Sequence, residues 1–299
     1  MKNHFLKIIQ TLRLFPIFCF LFFLFGQQAL AGDASSKEMQ DFLSALEERC
    51  AAYGWEDINL NEIPWEYHRT TQQKRPLMFV NLGTGSNCTL FLGGVHGDEL
   101  PTIYLLLRLA DTIKKNPSLF ENECIVIAPL VNPDGFFADP PQRVNAKGID
   151  INRNFPTKEW QAKAISLWEK NTNKNKRYYP GSKPGSEQET LFQIALIKRF
   201  KPQKVVSIHS PLNFYDFDGQ SAELDNFEQW LDAISKETNH PFKKYGVFPG
   251  SLGNYAGLER DILTLTLELP SSDPDKGQEY FDKFYSALLK FTNLSMAPQ

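Results

Sequence analysis

The strongest constraint on the fold is Cys124-Ile-Val-Ile-Ala-Pro-Leu-Val, an apolar run without polar alternation. A strand reads this way when both of its faces are buried, as in a sheet covered by helices on two sides. Pro76-Leu-Met-Phe-Val-Asn and Cys88-Thr-Leu-Phe-Leu-Gly-Gly-Val are further short apolar runs, each leading into a turn with glycine. Segments with helical spacing lie around them. Met39, Phe42, Leu43, Leu46 and Cys50 mark residues 36–52, behind Ser35 and Ser36 as caps, and Leu105, Leu106, Leu109 and Ile113 mark Glu99 to Lys115. Helices are also predicted at Ser186 to Phe200, Ala222 to Thr238 and Gly277 to Phe291, and strands at Lys204-Val-Val-Ser-Ile-His and Leu263-Thr-Leu-Thr-Leu-Glu. The stretch from Asn132 to Gly185 reads as loop. Strands alternating with helices predict an α/β fold around a mixed, largely parallel sheet. No repeat or linker divides the chain.

The N-terminus stands apart from this pattern. Lys2, Lys7 and Arg13 precede an apolar run from Leu14 to Phe25, and Ala29-Leu-Ala31 follows. A basic start, an apolar centre and an A-x-A signal predict a secretory signal peptide over residues 1–31, cleaved after Ala31. The run is short of the about 20 helical residues needed to span the hydrocarbon, so no stable membrane anchor is expected after cleavage. The expected location is secreted or periplasmic, with residues 32–299 forming one catalytic domain.

Loss of the leader takes the 32 Lys plus Arg to 29 against 35 Asp plus Glu, a net charge near −6. Nucleic acid wants a basic face and is excluded as a partner. The one lysine-rich stretch, Lys170 to Arg177, reads as a solvated loop. Three cysteines remain, Cys50, Cys88 and Cys124. Export permits a disulfide, Cys88 and Cys124 begin what could be neighbouring strands, and burial of all three as small apolar residues stays equally open.

Chemistry concentrates at strand ends. His96 and Glu99, in Gly93-Gly-Val-His-Gly-Asp-Glu, follow a buried strand, where open α/β sheets place their ligands. Alone, His and Glu three apart say little. Of the later histidines, His209 ends the strand Val205-Val-Ser-Ile-His, whereas His240 precedes Pro241 in a polar loop. His96, Glu99 and His209 make a two-histidine, one-carboxylate set that holds one Zn²⁺ and leaves a position open for water. Glu268 ends a third apolar strand. A carboxylate there is costly unless it has a partner or a task, such as general base toward the water on the metal.

Between these lie Asn132-Pro-Asp-Gly135 and Gly148-Ile-Asp-Ile-Asn-Arg-Asn-Phe155, with Ser207-Ile-His-Ser210 and Thr266-Leu-Glu-Leu269 after them. Together with His96-Gly-Asp-Glu99, in this order, they resemble the zinc carboxypeptidase family related to carboxypeptidase A. The resemblance spans roughly residues 90–270. It implies a mixed sheet sandwiched between helices, one zinc ion, and hydrolysis of an amide bond at the C-terminal end of a peptide. By motif, His96, Glu99 and His209 resemble the ligands and Glu268 the catalytic base. Asp150 resembles the carboxylate that orients the first ligand histidine. Asn152 and Arg153 resemble the pair that grips the substrate's terminal carboxylate, and Arg143 the arginine that polarises the scissile carbonyl. Arg143 lies nine residues before Asn152, closer than in the digestive enzymes. The family's substrate-capping tyrosine is matched best by Tyr245, with Tyr255 as the alternative.

Within the family, four stretches are similar to the bacterial murein tripeptide amidases. They are Arg143 to Pro156, Pro184 to Thr190, Ser210 to Gly219 and Pro249 to Tyr255. That branch cuts between γ-D-glutamate and meso-diaminopimelate in peptidoglycan peptides. The expected substrate is thus a peptide with a free C-terminal carboxylate from the cell wall, with Asp216 or Asp218 meeting the diaminopimelate ammonium. Two other readings stand beside it: an exported metallocarboxypeptidase acting on protein or peptide tails, and a wall-binding protein that kept the fold and lost activity. Loss of a ligand or the base would signal the last, and none is missing.

Overall fold

The computed structural model describes residues 36–219 and 224–295, and the expected leader lies outside them. The chain divides into two compact units, Met1–Asp41 and Phe42–Gln299. Of the first, only the helical residues 36–41 are described. Among the described residues no helix is long and apolar enough to cross a membrane.

In chain order the main elements are α1 (residues 36–51), β1 (Glu66–Thr70), β2 (Pro76–Leu82), β3 (Asn87–Leu92), α2 (Leu100–Lys115) and β4 (Glu123–Ala128). The short turn α3 (Pro133–Phe136), then α4 (Ile165–Asn171), α5 (Gln188–Phe200), β5 (Lys204–His209) and β6 (Phe214–Asp218) follow. α6 (Leu224–Thr238), β7 (Leu263–Glu268) and α7 (Gly277–Thr292) complete them. The strands form one sheet in the order β1-β2-β4-β3-β5-β7-β6. The four central strands, β4, β3, β5 and β7, run parallel, and the pairs β1–β2, β2–β4 and β6–β7 are antiparallel.

The apolar runs become the central strands because helices cover both faces. Leu77, Phe79, Leu90, Leu92, Val126 and Val205 pack with Phe192 and Leu196 of α5 in one buried cluster. Their neighbours in sequence point the other way, as the two-residue period requires, toward the side of α2 and α7. Each fully buried Leu or Phe contributes roughly 1.5–3 kcal/mol of hydrophobic stabilisation. Cys88 and Cys124 are register partners on β3 and β4, with Cα atoms 4.3 Å apart, and are joined as a disulfide. Cys50 is a buried free thiol, pushed up to about 12 chiefly by burial.

Three elements differ from the sequence expectation. β1 (Glu-Tyr-His-Arg-Thr) and β6 (Phe-Tyr-Asp-Phe-Asp) are edge strands with polar residues on the open side, and neither is an apolar run. The stretch expected to be loop also contains α4, which buries none of its residues and so carries no apolar signature.

Beyond the strand ends the motif loops lock together. Gly93 O accepts from Val131 N at 3.0 Å and Gly94 O from Asn132 N at 2.8 Å, which extends the β3–β4 pairing into both turns. The Asn132 side chain accepts from Gly135 N at 2.9 Å and donates to Arg143 O at 3.0 Å, so it caps α3 and fixes the start of the Arg143 loop. A Cβ on Gly97 would lie 2.2 Å from the Gly135 carbonyl carbon. Gly97→Ala should therefore push apart the loops carrying His96 and Asn132. The expected destabilisation is about 1–3 kcal/mol, read from the denaturant midpoint; a midpoint equal to wild type would contradict the tight approach.

Candidate active site

The carboxyl ends of β3, β5 and β7 meet at one buried point. His96 and Glu99 come from the turn after β3, His209 is the last residue of β5, and Glu268 is the last of β7. His209 and Glu268 are register partners in the parallel β5–β7 pair, so sheet geometry alone sets them side by side.

His96, Glu99 and His209 are buried and converge through the atoms that bind metals. The two Nδ1 atoms stand 3.2 Å apart, with Glu99 Oε1 2.7 Å from His96 Nδ1 and Oε2 2.9 Å from His209 Nδ1. Two nitrogens each about 2.0–2.1 Å from a shared tetrahedral ion lie about 3.3–3.4 Å apart. The two histidine nitrogens therefore match zinc in spacing, and the donor set as a whole matches it in chemistry. Asp150 Oδ1 lies 3.2 Å from His96 Nε2; accepting that ring's proton leaves Nδ1 as a lone pair facing the cluster. Burial opposes charge here. Even so, His96 and His209 hold Glu99 below the usual carboxylate range. Glu99 and Asp150 raise His96 against burial and the Arg143 charge, so the cluster draws positive charge to the point of convergence.

Arg143 spans this cluster. Its Nε and Nη2 donate to Asp150 Oδ2 at 3.0 and 2.9 Å, and Nη1 reaches His96 Nδ1 at 3.0 Å and Glu99 Oε1 at 3.3 Å. Burial alone would raise Asp150, but the Arg143 guanidinium and His96 hold it well below the ordinary value. Asn152 Oδ1 accepts from Leu252 N at 2.9 Å, which leaves its amide nitrogen on the His209 side, 3.5 Å from Nε2. Arg153 places its guanidinium carbon 4.4 Å from the centre of the Phe248 ring and lines the same cleft.

The cleft has a volume of about 250 Å³. Glu268, Arg143, Asn152, Arg153 and Tyr245 all border it together with the three converging residues. Tyr245, 55 % exposed, stands at the rim against Phe214, ring centres 5.2 Å apart. Tyr255 is 2 % exposed and packs on Phe155 within the core, away from the cleft. Burial raises Glu268, and the Glu99 charge adds to this against the pull of His209. The floor is built by β6 and β7. Asp216 pairs in register with Thr266 and Asp218 with Thr264, and all four border the cleft. Asp218 lies where a Cβ on Gly253 would come within clashing distance of its Oδ2. Burial, then the Asp216 charge, pushes Asp218 up to about 7.

Several bordering residues carry no motif. Thr264 and Thr266 were readable as the polar phase of Leu263-Thr-Leu-Thr-Leu-Glu, which shares its face with Glu268. Arg177 and Tyr178 had no such signal and reach the cleft through tertiary structure alone.

The family model for zinc carboxypeptidases matches residues 68–257. The chain belongs to the zinc carboxypeptidase family. Murein peptide amidase A of Escherichia coli K12 is 32 % identical over 196 residues, covering 64 % of this chain and 75 % of that protein. The protein of the same name from Vibrio campbellii is 30 % identical over 219 residues, 71 % of this chain and 82 % of the other. Among solved structures, the murein-tripeptide amidase MpaA of Escherichia coli O157 superposes with a TM-score of 0.57 at 26 % identity, covering 79 % of this chain and 95 % of that one. Bovine thrombin-activatable fibrinolysis inhibitor, in complex with a tick carboxypeptidase inhibitor, superposes with a TM-score of 0.64 at 16 % identity, over 85 % and 95 %. That match bears on the fold alone. This zinc carboxypeptidase is a peptide hydrolase of a family that uses one zinc ion, and its His96, Glu99 and His209 form a compatible group.

Proposed function

We propose that this zinc carboxypeptidase is an exported amidase that releases meso-diaminopimelate from cell-wall peptides by hydrolysing its amide bond to γ-D-glutamate. The observation that carries the reading is the acidic floor of the cleft. Diaminopimelate ends its side chain in an ammonium and a carboxylate. Asp218, which makes no salt bridge among the described residues, suits the ammonium, and the Thr266 hydroxyl suits the carboxylate. Asp216 has a different task, since it accepts backbone N–H bonds from Phe217, Tyr245 and Gly246 and so holds the rim tyrosine. The kinship to murein peptide amidases points the same way. The Cys88–Cys124 disulfide and the expected leader, cleaved after Ala31 ahead of one domain over 32–299, suit an oxidising compartment outside the cytoplasm.

In this reading Asn152 and Arg153 grip the substrate's terminal carboxylate through a bidentate guanidinium contact. Arg143, held by Asp150 at the edge of the converging cluster, lends its guanidinium charge to the oxyanion that develops on the scissile carbonyl. Glu268 takes the proton from the attacking water and passes it to the leaving amine, a task helped by the burial that raises its affinity for protons. Tyr245 closes over the substrate. A zinc ion held by His96, Glu99 and His209 would supply Lewis acidity, acidifying water and polarising the carbonyl.

The same acidic floor supports a second reading, a carboxypeptidase that removes C-terminal lysine or arginine from plain peptides. Incubation with L-Ala-γ-D-Glu-meso-diaminopimelate and with a lysine-terminated peptide separates the two. Free diaminopimelate as the main product supports the amidase; release of lysine alone sinks it. Asp218→Asn should then raise KM for the diaminopimelyl peptide by about 10–100-fold, the range for a hydrogen bond to a charged group. Unchanged release after substituting both Asp216 and Asp218 would rule out the floor as the ammonium site.

A further inference from the structure

The lysine-rich stretch before Tyr178 has the composition of a solvated loop, and Lys174 at its middle is exposed. Its last residue is placed differently. Arg177 borders the cleft and donates from Nη1 to Asp98 Oδ2 at 2.5 Å, with Asp98 lying between His96 and Glu99 in sequence. The next residue, Tyr178, sets its ring 5.3 Å from the guanidinium carbon of Arg143. The turn that carries Arg177 is anchored, not loose. The Asn175 side chain accepts from Arg177 N at 3.0 Å, Tyr179 O accepts from Asp150 N at 2.8 Å, and Trp168 Nε1 donates to Asn175 O at 2.7 Å. Arg177 thus stands at the Arg143 end of the cleft, whereas Asp216 and Asp218 belong to the β6 end.

The chemistry of a γ-glutamyl bond gives that position a use. In an ordinary peptide the α-carboxyl of the acyl residue forms the scissile amide. In a γ-linked glutamate the side-chain carboxyl forms it, so the α-carboxylate stays free on the acyl side, separated by three carbons from the scissile carbonyl. We propose that Arg177 binds this free α-carboxylate, making the enzyme selective for an acid on the acyl side of the scissile bond. The inference rests on the amidase reading and deepens it. A guanidinium fork matches a carboxylate in shape and charge. Asp98 takes Nη1 and holds the side chain in place, and among the described residues no other carboxylate lies within ion-pair distance of it. At 43 % exposure the Arg177 side chain remains open to a ligand.

The test compares kcat/KM for L-Ala-γ-D-Glu-meso-diaminopimelate with that for the same peptide carrying an α-carboxamide in place of the α-carboxylate. Wild-type enzyme should favour the acid about tenfold, the low end for a charge-assisted contact at a half-exposed site. Arg177→Ala should collapse that ratio toward one, and Arg177→Lys should keep part of it. Equal wild-type rates on the two peptides overturn the proposal, as does a ratio that survives in Arg177→Ala, the result expected if Arg177 only pins its loop to Asp98. Release of diaminopimelate from neither peptide overturns the amidase reading and this proposal with it, whereas release from both at equal rates overturns this proposal alone.

Discussion

Glu268→Gln should lower kcat on the diaminopimelyl peptide by about 10²–10⁴-fold, the usual contribution of a positioned general base. KM and zinc content should change little, because the interaction removed is one made in the transition state. The substitution keeps the side chain's shape and its acceptor for Leu212 N, 3.3 Å from Glu268 Oε2, so the fold has little reason to respond. A purely structural glutamate at this strand end would show the reverse pattern. Its loss would shift the melting temperature and leave turnover near wild type. Among the described residues Glu268 makes no salt bridge, and burial raises its affinity for a proton, which suits a group that must take one and return it. A variant within a few-fold of wild-type kcat would remove Glu268 from the mechanism.

Removing the metal should have an effect of similar size. Treatment with a chelator should take activity to the assay background and lower the melting temperature, since an ion that binds only the folded state stabilises it by mass action. Added zinc should restore both. His209→Ala should not recover on adding zinc, because one of three buried donors is gone. Asp150→Asn leaves all three donors in place but loses the charge behind His96, and should weaken zinc affinity by about 10–100-fold. Zinc-to-protein ratios after dialysis measure this without reference to substrate. Wild-type protein that keeps full activity at a zinc ratio near zero would overturn the assignment.

The central strands and long helices were legible because each has a one-sided or two-sided apolar pattern imposed by what covers it. α2 and α5 begin within two residues of their predicted starts, and β5 and β7 match their predicted spans. The edge strands were not legible. β6 reads as an acidic loop until its pairing with β7 puts Tyr215 and Phe217 into the core and Phe214, Asp216 and Asp218 toward the cleft. The convergence of His96, Glu99 and His209 could be anticipated because strand ends of an α/β sheet share one crevice. The motif match favours Tyr245 over Tyr255 at the rim, and tertiary packing leaves Tyr245 exposed beside Phe214 while Tyr255 is buried against Phe155. The partner of Cys88 depended on the β3–β4 register, and the place of Arg177 on a turn held by Asp150, neither of which is a local property.

The pairing of β6 with β7 divides labour across the sheet. Glu268 rides on a strand paired on both flanks, in register with His209 on its neighbour, so these two residues have little room to move. The acids of the floor ride on the outermost strand, whose far flank meets a loop: Tyr215 N donates to Pro241 O at 2.7 Å, and Tyr215 O accepts from Lys243 N at 2.9 Å. Asp216 is tied to the backbone of Tyr245 and Gly246, so a change in what the cleft accepts should fall to position 218, while the parallel pairing of β5 with β7 keeps His209 and Glu268 in fixed register.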